Sequence, residues 1–355
     1  MKTTALIMAG GRGERFWPRS RKNMPKQFLS LTDDSRTMIQ LTVDRILPLV
    51  DIKDIYIATN GAYKELVKEQ LPGIPDENIL CEPVGRNTAP CIGLAAMHIL
   101  KKDEDALMMV LPSDSLIKDG DRYRELISGG FEIASGHDSL VTMGIRPNYP
   151  ETGYGYIKYT KDRVLSGYRV ERFVEKPSLE RAKEYLEAGD YLWNAGMFIW
   201  KASVIRKQFE NFLPDMIKGL EAIGDAIGTK DEERVLNEIF PTLESVSIDY
   251  GIMEKADNIY TIPGDFGWDD VGSWTAVARI RDMDKDGNVI DGNVIAAGVN
   301  DCIIQAQDKL VAAVGLKGIV VVDTPDAMLI CDKSATADIK KVIELLKSDG
   351  REEYL

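Results

Sequence analysis

The chain has 355 residues, a formal net charge of −13 at pH 7 and a hydrophobic fraction of 44%. This length and composition are typical of a globular protein with one large domain and room for a smaller one. The acidic balance argues against nucleic acid as a partner, because no broad basic surface is available to neutralise phosphates. No apolar run is long enough to span a bilayer, and the first residues are typical of a core strand rather than a secretory signal. We therefore expect a cytoplasmic protein with no membrane partner.

Strand-like and helix-like segments alternate through the first two thirds of the chain. Apolar runs predict buried parallel strands at Ala5–Met8, Ile55–Thr59, Ala106–Leu111 and Leu140–Ile145. Amphipathic stretches predict helices at Met38–Leu49, Tyr63–Gln70, Ala89–Lys101 and Tyr123–Ser135. The alternation predicts an α/β fold in which helices cover both faces of a parallel sheet. Ligands of such sheets bind beyond the carboxyl ends of the strands.

The character of the sequence changes near Met283. A turn-rich break, Asp284–Gly287, is followed by short β-rich pieces at Asn288–Ile295, Cys302–Gln305, Leu310–Val314, Ile319–Val322 and Ala327–Cys331. A final helix is predicted at Ala335–Lys347. We therefore predict two domains, with residues 1–282 forming the larger one and residues 283–355 a small β-rich one.

Glycines and cations follow the first predicted strand. Gly10, Gly11 and Gly13 would allow the backbone to approach anionic oxygens closely. Six basic residues lie in the same short stretch: Arg12, Arg15, Arg19, Arg21, Lys22 and Lys26. In a chain this acidic, such a concentration favours a phosphate-rich ligand over a solvated basic face. The glycine spacing fits neither the P-loop nor the dinucleotide-binding pattern.

Two acidic segments predict a divalent-cation site. Asp114 follows a buried strand in LPSD, and Asp269 and Asp270 lie in GWDDVGSW. Mg²⁺ takes one or two protein carboxylates and completes its shell with phosphate oxygens and water. A turn or helix cap is the alternative for Asp114 taken alone, and the motif leaves open whether Asp269 joins Asp270.

Histidine and cysteine chemistry is not expected. The chain has two histidines, His98 and His137, and its four cysteines lack metal-site spacing, so reduced thiols are predicted. The chemistry must then depend on carboxylates, cations and backbone groups.

Eight motifs, in order, resemble the sugar-1-phosphate nucleotidyltransferases, and among them the guanylyltransferases that use mannose 1-phosphate. They are GGRGERFWPRSRKNMPKQF, EPVGRNTAP, LPSD, TGYGYIK, FVEKP, WNAGMFIW, SIDYGIMEK and GWDDVGSW. The resemblance spans residues 1 to about 280. It implies a Rossmann-like, GT-A-like sheet that is mixed and mainly parallel, followed by a small left-handed β-helix-like domain used for homodimer contacts. It also implies the short form with a single activity.

The resemblance further implies a reaction. GTP and mannose 1-phosphate would give GDP-mannose and pyrophosphate, with Mg²⁺ as cofactor, by in-line attack on the α-phosphorus. The sugar phosphate is already ionised, so no general base is needed, which fits a chain poor in histidine. Two alternatives stay open: the same fold with another pair, such as glucose 1-phosphate with UTP, and a catalytically silent regulatory homologue.

Roles for individual residues come from the same resemblance. Phosphate binding is assigned to Gly10, Gly11, Arg12 and Gly13, catalysis to Arg15, Lys26 and Lys176, and the metal to Asp114 and Asp270. The sugar side is assigned to Gly155, Glu175, Asn194 and Asp249, and the guanine side to Glu82, Arg86, Asn87 and Thr88. Helix capping is the alternative for Asn87 and Thr88, and an ordinary surface ion pair is the alternative for Glu175 and Lys176.

Overall fold

The computed structural model describes residues 1–32 and 34–355, and these divide into two units. Unit 1 consists of Met1–Gly10, Val43–Ser113 and Ile117–Trp268. Unit 2 consists of Gly11–Thr42, Asp114–Leu116 and Asp269–Leu355. The glycine and cation segment therefore groups with the C-terminal part of the chain, which the order of elements along the sequence did not predict. The boundary expected at residues 282 and 283 stays a prediction.

A mixed sheet forms the centre of unit 1. The strands up to residue 269 are β1 (Thr3–Met8), β2 (Ile55–Asn60), β3 (Ile79–Glu82), β4 (Leu107–Pro112), β5 (Leu116–Ile117), β6 (Leu140–Ile145), β7 (Tyr156–Val164), β8 (Gly167–Val174), β9 (Tyr191–Lys201), β10 (Ile259–Gly264) and β11 (Trp268–Asp269). Nine of them form one sheet in the order β3-β2-β1-β4-β9-β6-β10-β8-β7.

Strand directions confirm the predicted sheet. β1 is parallel to β2 and to β4, with Met8 opposite Pro112. β9 is antiparallel to both β4 and β6, so β6 runs parallel to β4 although the two are not neighbours. The four predicted strands are all present, and the third is shifted by one residue to Leu107–Pro112. A mixed, mainly parallel sheet with helices is therefore confirmed.

The helices agree with the amphipathic pattern. They are α1 (Met38–Ile46), α2 (Lys64–Gln70), α3 (Thr88–Lys102), α4 (Gly120–Gly136), α5 (Leu179–Ala188), α6 (Ala202–Phe212), α7 (Pro214–Ala226), α8 (Glu232–Ile239) and α9 (Trp274–Ile280). α1 ends three residues before the predicted Leu49, because Pro48 lacks an N–H and disfavours helical geometry in the residue before it. Fully buried side chains such as Trp200 and Phe209 form the core of unit 1.

Short strands and one helix complete unit 2. They are β12 (Val289–Asp291), β13 (Val294–Ala297), β14 (Ile303–Gln305), β15 (Val311–Val314), β16 (Ile319–Asp323), β17 (Met328–Asp332) and α10 (Ile339–Ser348). The β-rich piece predicted at Asn288–Ile295 contains β12 and the start of β13, which are separated at Gly292, where the backbone adopts φ +85°. A Cβ at Gly292 would lie 1.9 Å from the Ala306 carbonyl oxygen, so only glycine fits.

Two simpler expectations concern the whole chain. All four cysteines are free thiols, as predicted. In the part of the chain that the structure describes, no helix is both long and apolar enough to cross a membrane.

Candidate functional site

A tight turn of unit 2 contains Gly11 and Gly13, two of the glycines predicted to bind phosphate. Gly13 has φ +59°, and a Cβ there would lie 2.3 Å from Lys26 Cβ and 2.8 Å from the Lys26 backbone nitrogen. The Gln27 side-chain amide donates to the Gly11 carbonyl at 3.0 Å. Arg12 is exposed. The glycine loop therefore packs directly on the backbone that presents Lys26.

Lys26 joins three separated segments of unit 2. Its side chain is only 5% exposed, and its ammonium donates to Asp114 Oδ2 and to the Asp270 carbonyl, each at 2.8 Å. A buried ammonium without such partners would be strongly unfavourable. Arg15 donates to the Gly272 carbonyl at 3.3 Å. The structure thus brings together the two predicted metal-binding residues and both predicted phosphate cations.

The oxygens around the Lys26 ammonium, one from the Asp114 carboxylate and one from the Asp270 backbone, are of the type that Mg²⁺ takes, and metal binding here stays a prediction. The Lys26 ammonium is itself a cation that contacts the Asp114 carboxylate and the Asp270 backbone, so it marks where positive charge is stabilised. Within the described residues, no group of three or more histidine, cysteine, aspartate or glutamate side chains could hold a metal by itself. Such a site suits an ion that takes its remaining ligands from phosphate oxygens and water.

The predicted sugar-binding residues cluster in unit 1. Lys176 Nζ and Glu175 Oε1 are 2.8 Å apart, and the Asn194 amide donates to Asp249 Oδ1 at 3.0 Å. A Cβ at Gly155 would lie 2.5 Å from Glu175 Oε2, so a side chain there would displace the carboxylate. Asn194 N–H donates to the Gly155 carbonyl at 2.8 Å. All five residues lie together, as the motifs predicted.

Burial and charge alter the acid–base properties of this cluster. Burial, together with the nearby Glu175 carboxylate, raises the pKa of Asp249 to about 7. The hydrogen bond from Lys176 to Glu175 raises the pKa of the lysine. The backbone of Lys176 also adopts φ +45°, a conformation that residues other than glycine rarely take. Such strain is common where a side chain must be held in one orientation.

The segment from Glu82 to Thr88 is held mostly by structural contacts. The Arg86 guanidinium donates to the Pro241 carbonyl. Asn87 caps α3 by accepting from the Thr88 N–H, and the Thr88 hydroxyl accepts from the Ile248 N–H. The capping alternative is therefore present in the structure, and nucleotide contacts from these residues stay predictions.

Glu82 differs from its neighbours in this segment. It is buried, and within the described residues its Oε1 has no hydrogen-bond partner. Burial raises its pKa to about 7, and the hydrogen bond with the Cys91 side chain acts in the opposite direction. Its Oε2 lies 3.4 Å from where a Cβ on Gly10 would be, so the first glycine of the loop borders this carboxyl group. An unpartnered buried acceptor suits a ligand that offers N–H donors.

Comparisons with known proteins identify the family. A nucleotidyl transferase family model matches residues 4–287, and a model of the MannoseP isomerase/GMP-like β-helix domain matches residues 292–346. A mannose-1-phosphate guanylyltransferase of Salmonella montevideo is 40% identical over 361 residues, covering 99% of this chain and 75% of that protein. The chain belongs to the mannose-1-phosphate guanylyltransferase family of nucleotidyl transferases. The fold and the enzyme class expected from the motifs are thereby confirmed.

Two further relatives of this guanylyltransferase chain agree. The Klebsiella pneumoniae mannose-1-phosphate guanylyltransferase is 40% identical over 356 residues, covering 98% of this chain and 75% of that protein. A solved structure from Thermus thermophilus, described as a mannose-1-phosphate geranyltransferase, is 36% identical with a TM-score of 0.89. That match covers 98% of this chain and all of the solved one.

Sequence reasoning missed how the remaining cations of the guanylyltransferase are used. It assigned no individual role to Arg19, Arg21 or Lys22, but Arg21 pairs with Asp326 at 2.7 Å and Lys22 pairs with Glu352 at 2.5 Å. The local sequence showed a dense group of basic residues but not their acidic partners, because those partners lie about 300 positions later in the chain. These pairs hold the loop after Arg15 inside unit 2.

The Gly13 contacts generate a prediction about stability. We expect Gly13→Ala to lower the free energy of unfolding by about 2 kcal/mol, since a side chain there is strained and collides with the Lys26 backbone. Gly11→Ala is the matched control, because no atom of the described residues lies within 4 Å of its Cβ position, and its effect should stay below about 0.5 kcal/mol. Urea denaturation measures both, and equal losses would contradict the packing of Gly13 on Lys26.

The raised pKa of Asp249 generates a second prediction. The folded protein holds this proton up to about pH 7, whereas an unfolded aspartate loses it near pH 4, so this contribution to stability declines as pH rises between those values. Asp249→Asn cannot ionise, so its free energy of unfolding should not show this decline. The stability of the variant minus that of the wild type should therefore be greater at pH 8 than at pH 5, by about 1 kcal/mol or more.

Thermal unfolding across this pH range measures the difference. Asp215→Asn, at an exposed position, is the control and should leave the pH profile unchanged. Parallel wild-type and Asp249→Asn profiles would show that burial does not affect this carboxyl group as described.

Proposed function

We propose that this chain makes GDP-mannose and pyrophosphate from GTP and mannose 1-phosphate, with Mg²⁺ as cofactor. The observation that carries the proposal is the buried Lys26 ammonium, which contacts the Asp114 carboxylate and the Asp270 carbonyl within unit 2. A buried cation beside one carboxylate and the backbone of a second aspartate supports a metal-assisted phosphoryl site, because such a site needs both cations and acidic residues close together. The names of the relatives, mannose-1-phosphate guanylyltransferases, supply the sugar and the base.

The proposed step is one displacement at phosphorus. A phosphate oxygen of mannose 1-phosphate attacks the α-phosphorus of GTP, and the bond from that phosphorus to the bridging β-phosphate oxygen breaks as the new bond forms. Pyrophosphate leaves with the bonding electron pair, so no proton transfer is required. Lys26 and Arg15 stabilise the charge that develops on the leaving group, with Arg15 suited to bidentate contact and Lys26 to a point charge.

Asp114 and Asp270 would hold Mg²⁺ in this proposal. When bound, the ion supplies Lewis-acid polarisation of phosphate oxygens and a template for their alignment. The Gly10–Gly13 backbone and Arg12 would bind the β- and γ-phosphates. Alignment of two anionic substrates is the main task, because the nucleophile needs no activation.

The unit 1 residues would select the sugar and the base. Glu175, Asn194 and Asp249 offer acceptors and donors for sugar hydroxyls, and Lys176 offers a cation for the sugar phosphate. Glu82 supports GTP, since guanine presents N–H donors and Glu82 Oε1 is a buried acceptor with no partner among the described residues. Arg86, Asn87 and Thr88 would complete this side.

A substrate matrix tests the proposal directly. Purified protein with Mg²⁺ is assayed for pyrophosphate release with four nucleoside triphosphates against mannose, glucose and N-acetylglucosamine 1-phosphates. We expect dominant turnover with GTP and mannose 1-phosphate, and a loss of at least about 100-fold in Asp114→Asn and Asp270→Asn. Dominant turnover with another pair would contradict the specificity, and near-normal rates in both variants would contradict the metal assignment.

A homodimer and a cytoplasmic location belong to the same proposal. In β13 and β15, Ile295 lies opposite Ala312 and Ala297 opposite Val314, so these four apolar side chains share one exposed face. Such a face is typical of a contact with a second copy of the chain. The free cysteines suit a reducing compartment.

Light scattering after size-exclusion chromatography tests the dimer. We expect a mass of two chains for the wild type and of one chain for Val314→Lys. Leu345→Lys is the matched control, because Leu345 is also largely exposed (61%, against 73% for Val314) but lies on α10, and it should remain dimeric. A wild-type monomer, or a Val314→Lys dimer, would contradict the proposed contact.

A further inference from the structure

The two adjacent acids of GWDDVGSW have different environments. Asp270 presents its carbonyl to Lys26, whereas the Asp269 carboxylate is bound by Arg279. We propose that Asp269 is a positioning residue: its ion pair with Arg279 holds the turn that presents Asp270 to the cation site. The inference rests on the metal role proposed for Asp270, and it assigns Asp269 no direct contact with the metal.

Both oxygens of Asp269 are occupied. Oδ2 accepts from Arg279 Nε at 2.6 Å, and Oδ1 accepts from Arg279 Nη2 at 2.9 Å and from the Val271 N–H at 2.8 Å. The Asp269 side chain is only 13% exposed. Paired, roughly parallel bonds from a guanidinium fix a carboxylate in position as well as in charge. A ligand role would require Asp269 to surrender contacts that it already makes.

The turn itself is strained, so it needs such a support. Val271 adopts φ +46°, which is a genuine outlier for a β-branched residue, and its side chain is fully buried. A Cβ at Gly272 would lie 2.6 Å from Asp270 Oδ2, so the Asp270 carboxylate lies close over the glycine backbone. The bond from Val271 N–H to Asp269 stabilises this conformation, and with it the orientation of Asp270.

Arg279 is a suitable anchor because its helix is fixed. α9 begins at Trp274, whose indole N–H donates to the Trp17 carbonyl at 3.1 Å and whose ring lies 5.1 Å from that of Phe16. Phe16 in turn lies under the Lys26 ammonium, 5.7 Å from it. The ion pair therefore connects the acidic turn to the same segment that presents Lys26. Residues that orient metal ligands in this way typically change affinity or activity by 10–100-fold when removed.

Binding of Mn²⁺ alone, measured by electron paramagnetic resonance, tests the inference without turnover. We expect the Mn²⁺ dissociation constant to rise about tenfold in Asp269→Asn and about tenfold in Arg279→Gln. The double variant should be no weaker than either single one, because both remove the same interaction. Arg279→Lys should recover part of the affinity, since lysine restores charge but not the paired geometry.

Control variants separate the possible failures. Asp338→Asn removes an exposed ion pair of unit 2, with Lys341, and should bind Mn²⁺ like the wild type. If Asp269 were a metal ligand, Arg279→Gln would leave Mn²⁺ affinity unchanged or increase it, and either result would overturn the inference. If Asp270→Asn binds Mn²⁺ as tightly as the wild type, the proposed metal role fails instead, and the inference fails with it.

Melting temperatures and steady-state kinetics complete the test. Arg279→Gln and Arg279→Lys alter a half-exposed side chain and keep the test valid if Asp269→Asn does not fold. In the folded variants kcat should fall about tenfold while KM for mannose 1-phosphate stays unchanged, because the unit 1 residues are intact. A rise in that KM with normal Mn²⁺ binding would contradict a positioning role at the metal.

Discussion

The buried ammonium of Lys26 is the constraint on which the phosphate side of this molecule depends. Its side chain is almost completely removed from water, so its charge must be balanced by groups of the protein. The Asp114 carboxylate and the Asp270 carbonyl supply that balance. Three segments distant in sequence must therefore meet in unit 2. The tight turn at Gly13 follows from the same requirement, because any side chain there would displace the Lys26 backbone.

The same need for charge balance applies to the other cations of this acidic chain. Its net charge of −13 is distributed so that the cations after the glycine loop are paired with distant acids, such as Arg21 with Asp326. These pairs keep the loop in place, and Lys26 and Arg15 remain beside the acids that would hold Mg²⁺. In the cluster of predicted sugar-binding residues in unit 1, a buried acid takes the place of a buried cation. Burial there raises the pKa of Asp249 to about 7.

Local sequence patterns predicted the strands and helices well, but they did not predict the order of the strands or the contacts between residues distant in sequence. The apolar runs before the glycine loop and before Asp114 were visible as strands, because each side chain of a buried strand is apolar. The insertion of antiparallel β9 between β4 and β6 depends on chain path rather than on local pattern. The motifs predicted that Lys26, Asp114 and Asp270 belong to the same site. The motif assigned the metal to Asp270 and left the role of Asp269 open. Only the structure shows that Asp269 pairs with Arg279, because the spacing of these residues does not reveal that contact.

In the proposed function, Asp114 and Asp270 form a cation site whose negative charge the Lys26 ammonium partly neutralises. The Mn²⁺ affinity of Lys26→Gln in the absence of nucleotide measures this competition. Removing the ammonium leaves the Asp114 charge without its partner, so we expect Mn²⁺ to bind about tenfold more tightly than to the wild type, which corresponds to about 1.4 kcal/mol. Unchanged or weaker Mn²⁺ binding would contradict it.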